Sequence, residues 1–246
     1  MKLSIVIPCY NERERLRSTL REIGKFLEPK AWDYEIIVVD DGSTDGTSEV
    51  AREEWRSFRG VAKVLRNERN CGKGASVKRG MLEAGGEYVV FTDADLSTPI
   101  GEIEKLLDGL LDGCDVVLGS RGLGDSRVEI HQNWLRELMG KIFNRIARLL
   151  TFQDIRDSQC GFKGLRREAA HTLFHLQRTS GFSFDAEICF LAQKLGYRIK
   201  EVPVIWRNSP KSKVSMIWDP IKMVWDLLRI RFYHGGKRGP RAPERP

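Results

Sequence analysis

Apolar residues in this chain occur in short continuous runs, which alternate with longer segments of helical spacing. The runs lie within residues 3–7, 34–39, 61–65, 87–92, 115–118 and 198–206, and those at 61–65 and 198–206 are weaker because charged residues interrupt them. Runs that are apolar on both faces are typical of strands buried in a parallel sheet. Between them, apolar residues three and four positions apart predict helices at 11–27, after 46, and at 72–84, 99–111, 166–176 and 184–195. This alternation predicts βαβ units, and therefore one α/β domain with a mostly parallel sheet.

Two more amphipathic helices are predicted in the second half of the chain, near 133–152 and 216–233. Four aromatic residues lie along the second of them: Trp218, Trp225, Phe232 and Tyr233. A helix of this kind can lie in the interface plane of a membrane. The alternative is that both helices simply pack on the sheet.

The remaining segments of the second half, 122–132 and 154–163, are predicted to be loops. Pro203 in the last apolar run favours an edge strand or a bulge. Residues 235–246 are rich in Gly, Pro, Lys and Arg, which predicts a disordered basic tail. The folded domain would then span residues 1–234.

Composition narrows the choice of partners and of compartment. The chain has 246 residues, of which 41% are hydrophobic, enough for a sizeable core. Its formal net charge of +7 suits a nucleotide, a phosphorylated lipid, an acidic membrane surface or a nucleic acid. Five scattered cysteines without a Cys-x-x-Cys pair predict reduced thiols in a cytoplasmic protein and no zinc site. No signal peptide fits the first residues, and no apolar run reaches the ~20 residues that span a bilayer.

The run at 87–92 is followed at once by two carboxylates, Asp93 and Asp95. Residues i and i+2 of an extended chain point the same way, so both side chains can converge on one cation. The carboxyl end of a buried strand is also where open α/β sheets bind ligands. Oxygen ligands favour Mg²⁺ or Mn²⁺, with substrate phosphates completing the coordination. A polar turn that caps the helix near Pro99 is the alternative interpretation.

Three other segments end strands or open helices at the same predicted edge. Pro-Cys-Tyr-Asn-Glu at 8–12 suits a base-binding wall or a structural turn. Asp40 and Asp41 begin a segment whose carboxylates can accept hydrogen bonds from a ribose or a base, or can cap a helix. Gly-Lys-Gly at 72–74 opens a helix, where N–H groups and the dipole favour anions. This last segment lacks the spacing of a Walker A loop.

In their order along the chain, these motifs resemble those of family-2 glycosyltransferases of the GT-A fold. The likeness continues through Gly-Ser-Arg at 119–121, Ile-Arg-Asp-Ser-Gln-Cys-Gly-Phe-Lys at 155–163, Phe-Asp-Ala-Glu-Ile at 184–188 and Glu-Val-Pro-Val-Ile-Trp at 201–206. The whole series is similar to the dolichyl-phosphate β-glucosyltransferases, with the dolichyl-phosphate mannose synthases next. The resemblance covers residues 3 to about 233.

The resemblance implies roles for individual residues. The nucleotide-sugar site would comprise Pro8, Tyr10, Asn11, Glu12, Asp40, Asp41, Lys73 and Asp93. Asp93 and Asp95 would bind the metal ion, Mg²⁺ or Mn²⁺, together with the donor diphosphate. The acceptor phosphate would contact Arg121, Arg136 and Lys163. The catalytic candidates are Asp95, Arg121 and Asp185, the last of which lies where other branches carry a base.

The implied reaction is an inverting, metal-dependent transfer of a hexose, glucose from UDP-glucose, to a polyprenyl or dolichyl phosphate. The protein would act at the cytoplasmic face of a membrane, bound peripherally to its surface. The alternatives are transfer from GDP-mannose, and a family-2 transferase with a sugar or alcohol acceptor, which needs a general base more. A nucleotidyltransferase is disfavoured because no Gly-rich phosphate loop follows the first strand. A nucleic-acid partner is disfavoured because no recognition motif for DNA or RNA is present.

Overall fold

The computed structural model of the chain describes residues 2–55, 58–130, 134–209 and 218–236. The strands in these ranges are β1 (Lys2–Cys9), β2 (Asp33–Asp40), β3 (Val61–Arg66), β4 (Tyr88–Thr92), β5 (Val116–Ser120), β6 (Arg127–Ile130), β7 (Phe162–Arg166), β8 (Ile199–Pro203) and β9 (Ile205–Arg207). The α-helices are α1 (Arg13–Leu27), α2 (Thr47–Trp55), α3 (Lys73–Glu83), α4 (Ile103–Leu111), α5 (Trp134–Leu150), α6 (Arg167–Leu176), α7 (Phe184–Leu195) and α8 (Trp218–His234). A 3₁₀ turn, Ile100–Glu102, precedes α4.

Seven of these strands form one sheet in the order β3-β2-β1-β4-β7-β5-β8. β1 pairs in parallel with β2 and β4, β2 with β3, and β5 with β8. The predicted mostly parallel α/β sheet is therefore confirmed. Because β1, β2 and β4 run in the same direction, the polar segments that follow them come together at one edge of the sheet.

One strand, β7, runs antiparallel between β4 and β5. The sequence analysis missed this strand, whereas the expected helix at 166–176 is confirmed and the expected loop at 154–163 is a loop as far as residue 161. The strand occupies Phe162–Arg166, and α6 starts at Arg167. Neighbours on both sides supply the hydrogen bonds of this short strand, with Lys163 opposite Phe91 on one side and Leu118 on the other.

The predicted strand at 198–206 is two strands that belong to two sheets. β8 is an edge strand of the large sheet, which suits Pro203, whereas β9 pairs in parallel with β6. β6 itself falls in the predicted loop at 122–132. The chain changes sheets at the buried Val204, whose N–H donates to the Ser120 carbonyl (3.2 Å) and whose carbonyl accepts from the Arg127 N–H (3.2 Å).

The hydrophobic core lies on both faces of the large sheet. Consecutive strand residues point to opposite faces, so Ile5 and Val90 pack with α1 and α4, whereas Val6 and Phe91 pack with α3, α6 and α7. Burial on both faces explains why these strands are continuously apolar in the sequence. All five cysteines are free thiols, as predicted.

The two amphipathic helices near 133–152 and 216–233 are α5 and α8, and they pack against each other. Both expose large apolar side chains: Trp134, Leu138, Ile142, Leu149, Ile221, Trp225, Leu228, Phe232 and Tyr233. The side chain of Trp218 and residues 237–246 of the predicted tail lie outside the part of the chain that the structure describes. Among the described residues, no helix combines the length and the apolarity needed to cross a bilayer.

Candidate active site

A cleft of ≈ 700 Å³ opens at the sheet edge where β1, β2 and β4 end. Its lining includes most of the residues predicted for the nucleotide sugar and the metal: Pro8, Tyr10, Asn11, Glu12, Asp41, Lys73, Asp93 and Asp95. Another part of the lining comes from Phe182, ahead of α7, and from Met223 and Asp226 of α8. The fold therefore brings the ends of three strands and the apolar helix α8 to one site.

Asp93 and Asp95 lie in the turn directly after β4, and each faces a cation. Asp93 Oδ1 is 2.6 Å from Lys73 Nζ, and Asp95 Oδ2 is 3.7 Å from Arg15 Nη1. The backbone N–H of Ser97 donates to Asp95 Oδ1 at 3.0 Å and fixes that side chain. The two carboxylates and two cations give this end of the cleft an alternating pattern of charge.

The residues present fit a divalent metal ion. The side chains of Asp93 and Asp95 are 34% and 24% exposed, and they offer only oxygen atoms, which Mg²⁺ and Mn²⁺ prefer. Within the described ranges, no group of three or more His, Cys, Asp or Glu side chains is arranged to hold a metal. Two carboxylates alone suit an ion that takes its other ligands from substrate phosphates and water.

Gly161 gives Asp93 the space that its carboxylate occupies. A Cβ atom added at Gly161 would lie 2.0 Å from Asp93 Oδ2 and 2.5 Å from its Cγ. This close approach follows from the antiparallel pairing, in which Phe162 lies opposite Thr92. The backbone of the segment before β7 thus packs directly against the Asp93 carboxyl group.

Lys73 is the first residue of α3, and Asp41 holds the segment that precedes it. The Asp41 carboxylate accepts hydrogen bonds from the N–H groups of Cys71 (2.9 Å) and Gly72 (2.8 Å) and from Asn67 Nδ2 (2.7 Å). Burial by itself lowers the pKa of Lys73, but the carboxylates of Asp93 and Asp185 outweigh it and raise the pKa above its ordinary value. Lys73 is therefore a firmly charged ammonium at the cleft.

Asp40 is the predicted nucleotide-site residue that the structure does not bring to the cleft. Its side chain is fully buried, and it accepts hydrogen bonds from the Ser43 N–H (2.8 Å) and from the Ser48 hydroxyl. Asp40 shapes the turn that contacts Asn11, since Ser43 Oγ accepts from the Asn11 N–H at 2.8 Å. Its influence on a nucleotide is through this turn, because its carboxylate has no route to the cleft.

Arg121 follows β5 and is held by a two-point ion pair with Asp157. Its Nε and Nη2 are 2.6 Å and 2.9 Å from the two carboxylate oxygens, and its guanidinium lies over the Trp206 ring at 5.3 Å. Burial opposes the charge on both groups, but the pairing prevails, raising the pKa of Arg121 and lowering the pKa of Asp157 to about 2. Glu201 fixes the Asp157 segment by accepting from the N–H groups of Arg156 (2.8 Å) and Asp157 (2.9 Å).

The structure does not bring Lys163, which was predicted to contact the acceptor phosphate, to the cleft. Lys163 is fully buried in β7, where its Nζ donates to the Cys160 carbonyl at 2.6 Å and to Asp185 Oδ1. Asp185 is only 3% exposed and is not among the residues that line the cleft. Burial raises the pKa of Asp185, against the lowering effects of Lys163 and Lys73. Lacking access to the cleft, Asp185 is badly placed to act as a base on an acceptor.

Arg136, the third predicted acceptor cation, belongs to α5, and its side chain lies outside the described part of the chain. The sequence analysis missed Arg15, Asp157 and the contribution of α8 to the cleft. Asp157 stands inside the motif at 155–163, so that motif did carry a signal. Arg15 gave none, because a charged residue in the first turns of a surface helix is ordinary.

Comparison with known proteins bears on this site. The family model for Glycosyl transferase family 2 matches residues 4–174. The dolichyl-phosphate beta-glucosyltransferase of Dictyostelium discoideum is 36% identical over 242 residues, 94% of this chain and 74% of that protein. The protein of that name from Mus musculus is 35% identical over 251 residues, 96% of this chain and 78% of that protein.

Solved structures share the fold at lower identity. Glucosyl-3-phosphoglycerate synthase from Mycobacterium tuberculosis in complex with uridine diphosphate gives a TM-score of 0.68 at 22% identity, covering 95% of this chain and 80% of that chain. Mannosyl-3-phosphoglycerate synthase from Rubrobacter xylanophilus gives 0.69 at 21% identity, covering 94% and 72%. The expected GT-A fold is confirmed. This chain belongs to glycosyl transferase family 2 and is a glycosyltransferase.

Proposed function

We propose that this protein transfers glucose from UDP-glucose to the phosphate of a polyprenyl or dolichyl lipid, with inversion at the sugar C1, at the cytoplasmic face of a membrane. Its relatives of 33–36% identity are named dolichyl-phosphate beta-glucosyltransferases. The observation that carries the proposal is the pairing of a charged cleft with an apolar helix, since α8 lines the cleft with Met223 and Asp226 and exposes Trp225 and Phe232.

The donor would lie in the cleft, with its diphosphate at the end formed by Lys73, Asp93 and Asp95. Lys73 would bind the diphosphate as a fixed positive charge. A Mg²⁺ or Mn²⁺ ion held by Asp93 and Asp95 would neutralise the charge that develops on the departing nucleoside diphosphate. Tyr10, which is 37% exposed in the lining, would form a wall for the base.

Arg121 is the cation proposed for the acceptor phosphate. Arg121 does not itself line the cleft, but Asp93 is among the carboxylates that raise its pKa, which supports a location near the reacting end of the donor. Asp157 and Trp206 fix its planar fork, which suits two-point binding of phosphate oxygens. A lipid monophosphate is already largely ionised near neutral pH, since phosphate monoesters have a second pKa of about 6. The attacking oxygen therefore needs orientation and charge screening, and a general base has little left to do.

The exposed apolar side chains of α5 and α8 are proposed to lie in the membrane interface. The side chain of Phe232 is 84% exposed and that of Trp225 is 62% exposed. A helix that lines the cleft and also enters the interface would bring the lipid phosphate to the cleft without extracting the chain from the bilayer. Liposome flotation tests this part: the protein should float with anionic vesicles at low salt, and a protein that stays in the soluble fraction would contradict it.

The whole reaction is tested by incubation with radiolabelled UDP-glucose or GDP-mannose, polyprenyl phosphate and Mn²⁺, followed by organic extraction. Label from UDP-glucose alone should enter the organic phase, and Asp95→Asn should lower the rate by orders of magnitude with an unchanged circular dichroism spectrum. Transfer from GDP-mannose alone would overturn the donor. Equal transfer to a polyprenol would overturn the acceptor class.

A further inference from the structure

Lys73 occupies a position that is unfavourable for a cation. It is the first residue of α3, and the N-terminus of a helix carries partial positive charge. The Asp93 carboxylate offsets this unfavourable charge, with its Oδ1 at 2.6 Å from Lys73 Nζ. The Asp93 carboxylate, however, is also a proposed metal ligand, and an oxygen bound to a divalent ion interacts less strongly with a neighbouring ammonium. A second carboxylate is then needed to keep Lys73 in place.

That carboxylate is available at the start of α7, which packs directly against the start of α3. A Cβ atom added at Gly74 would lie 2.7 Å from Phe184 Cβ, and the Ala75 N–H donates to the Ser180 carbonyl at 3.1 Å. Asp185 follows Phe184 in the first turn of α7. The packing of the two helix starts brings Asp185 close to Lys73 without a direct ion pair between them, and its carboxylate is among the groups that raise the pKa of Lys73.

Asp185 is itself held by a buried ion pair with Lys163. The Lys163 ammonium donates to Asp185 Oδ1 and to the Cys160 carbonyl, and it lies 5.2 Å from the centre of the Phe91 ring. Neither side chain of this pair is more than 4% exposed. A buried ion pair gains little stability over apolar residues of similar size, so its presence beneath a charged cleft calls for another explanation.

We propose that Asp185, oriented by Lys163, is a positioning residue that keeps the Lys73 ammonium directed at the donor diphosphate while Asp93 binds the metal ion. Two ion pairs, Asp93–Lys73 and Asp185–Lys163, then act together, the first in the cleft and the second buried behind it. The role rests on the proposed nucleotide-sugar donor and assigns the buried pair to that site. It also replaces the acceptor role predicted for Lys163 with one on the donor side.

The test is the double variant Lys163→Met/Asp185→Asn, which leaves no buried charge unpaired and does not change the net charge. Its matched control is Lys200→Met/Asp112→Asn, which removes an exposed ion pair of 3.3 Å far from the cleft. Both variants are first checked by thermal unfolding. Calorimetric titration with UDP is then run in the presence and in the absence of Mn²⁺, followed by steady-state kinetics with both substrates.

We expect the buried-pair variant to bind UDP about tenfold or more weakly than the wild type when Mn²⁺ is present, the size of a lost charge-assisted contact. Without Mn²⁺, Asp93 still holds Lys73, so the two proteins should bind UDP alike. The Michaelis constant for lipid phosphate should not change, and the surface-pair control should match the wild type throughout. A purely structural pair would not give an effect that depends on the metal.

If the folded double variant binds UDP as tightly as the wild type in the presence of Mn²⁺, the positioning role is wrong. An equal loss with and without Mn²⁺ would overturn it too, because the pair would then act on the fold of the cleft as a whole. If the wild type binds GDP and not UDP, the proposed donor is wrong, and the same comparison is made with GDP. The two proposals therefore fail separately.

Discussion

The molecule contains two cation–carboxylate pairs near the catalytic edge that look alike in the sequence and differ in the fold. Arg121 pairs with Asp157, and Lys163 pairs with Asp185. The Arg121 side chain is 27% exposed, whereas that of Lys163 is not exposed at all. Each cation therefore has an internal carboxylate partner, and the exposure of its side chain decides whether it can also contact an external ligand.

The carboxylates of the two pairs differ as well. Asp157 accepts hydrogen bonds from the backbone N–H groups of Arg121 (3.0 Å) and Gln159 (3.1 Å) in addition to the guanidinium. Burial opposes the charge, but the Arg121 guanidinium and the Arg121 backbone N–H overcome it and lower the pKa of Asp157 to about 2. For Asp185 burial prevails over Lys163, and the pKa rises. The first pair is therefore supported by its surroundings, and the second exists at a cost in stability.

The largest expected difference between the pairs concerns stability. Lys163→Ala leaves Asp185 buried without its cation, which should lower the free energy of unfolding by about 3–5 kcal/mol. Arg121→Ala should cost less, because Asp157 keeps two backbone donors. Urea denaturation of both variants measures the two losses. Equal losses in the free energy of unfolding would contradict the proposed difference between the two pairs.

The next effect separates the pairs by substrate. Arg121→Ala should raise the Michaelis constant for lipid phosphate roughly 10- to 100-fold, the size expected for one charged hydrogen-bonding group, and leave that for the nucleotide sugar unchanged. Arg121→Lys should recover only part of the loss, because an ammonium lacks the planar fork. Steady-state kinetics with each substrate varied in turn is the measurement. A change confined to the Michaelis constant for the nucleotide sugar would show that Arg121 acts on the donor and not on the acceptor.

The smallest effect is seen in acid. An unfolded Asp titrates near pH 4, so the lowered pKa of Asp157 contributes stability above about pH 4 that is lost as the pH falls through about 2. The loss over this window should be about 2 kcal/mol for this group. Asp157→Asn should start from a lower stability and lose that much less between pH 4 and pH 2. Parallel curves of unfolding free energy against pH would show that Asp157 is not the group responsible.

The half of the site built on parallel strands could be predicted from the sequence. Strands that run in the same direction place the residues after them at one edge, so Asp93, Asp95 and Lys73 had to come close together. Which of two adjacent carboxylates faces the cleft was not predictable, because neighbouring residues on a strand point to opposite sides. Both residues are buried, Asp40 at 0% exposure and Asp41 at 3%, but only Asp41 of the two lines the cleft.

The half that depends on distant pairing could not be predicted. The strand Phe-Lys-Gly-Leu-Arg has no apolar alternation of its own, and it becomes a strand because β4 and β5 leave a gap between them. The partner that allows Lys163 to be buried, Asp185, lies 22 positions further along the chain. The partner of Arg121, Asp157, lies 36 positions away. Separations of this kind leave no periodic mark in the sequence.

The space beside Gly161 has a consequence for how this chain tolerates mutation. Every replacement of glycine by another standard residue adds a carbon, and here that carbon would fall 2.0 Å from a carboxylate oxygen of Asp93. The three nearest atoms all belong to the Asp93 carboxyl group, so the group that would have to move is a candidate metal ligand and not the backbone. Position 161 therefore contributes no chemical group, yet a side chain there would displace the carboxylate that is proposed to bind the metal ion.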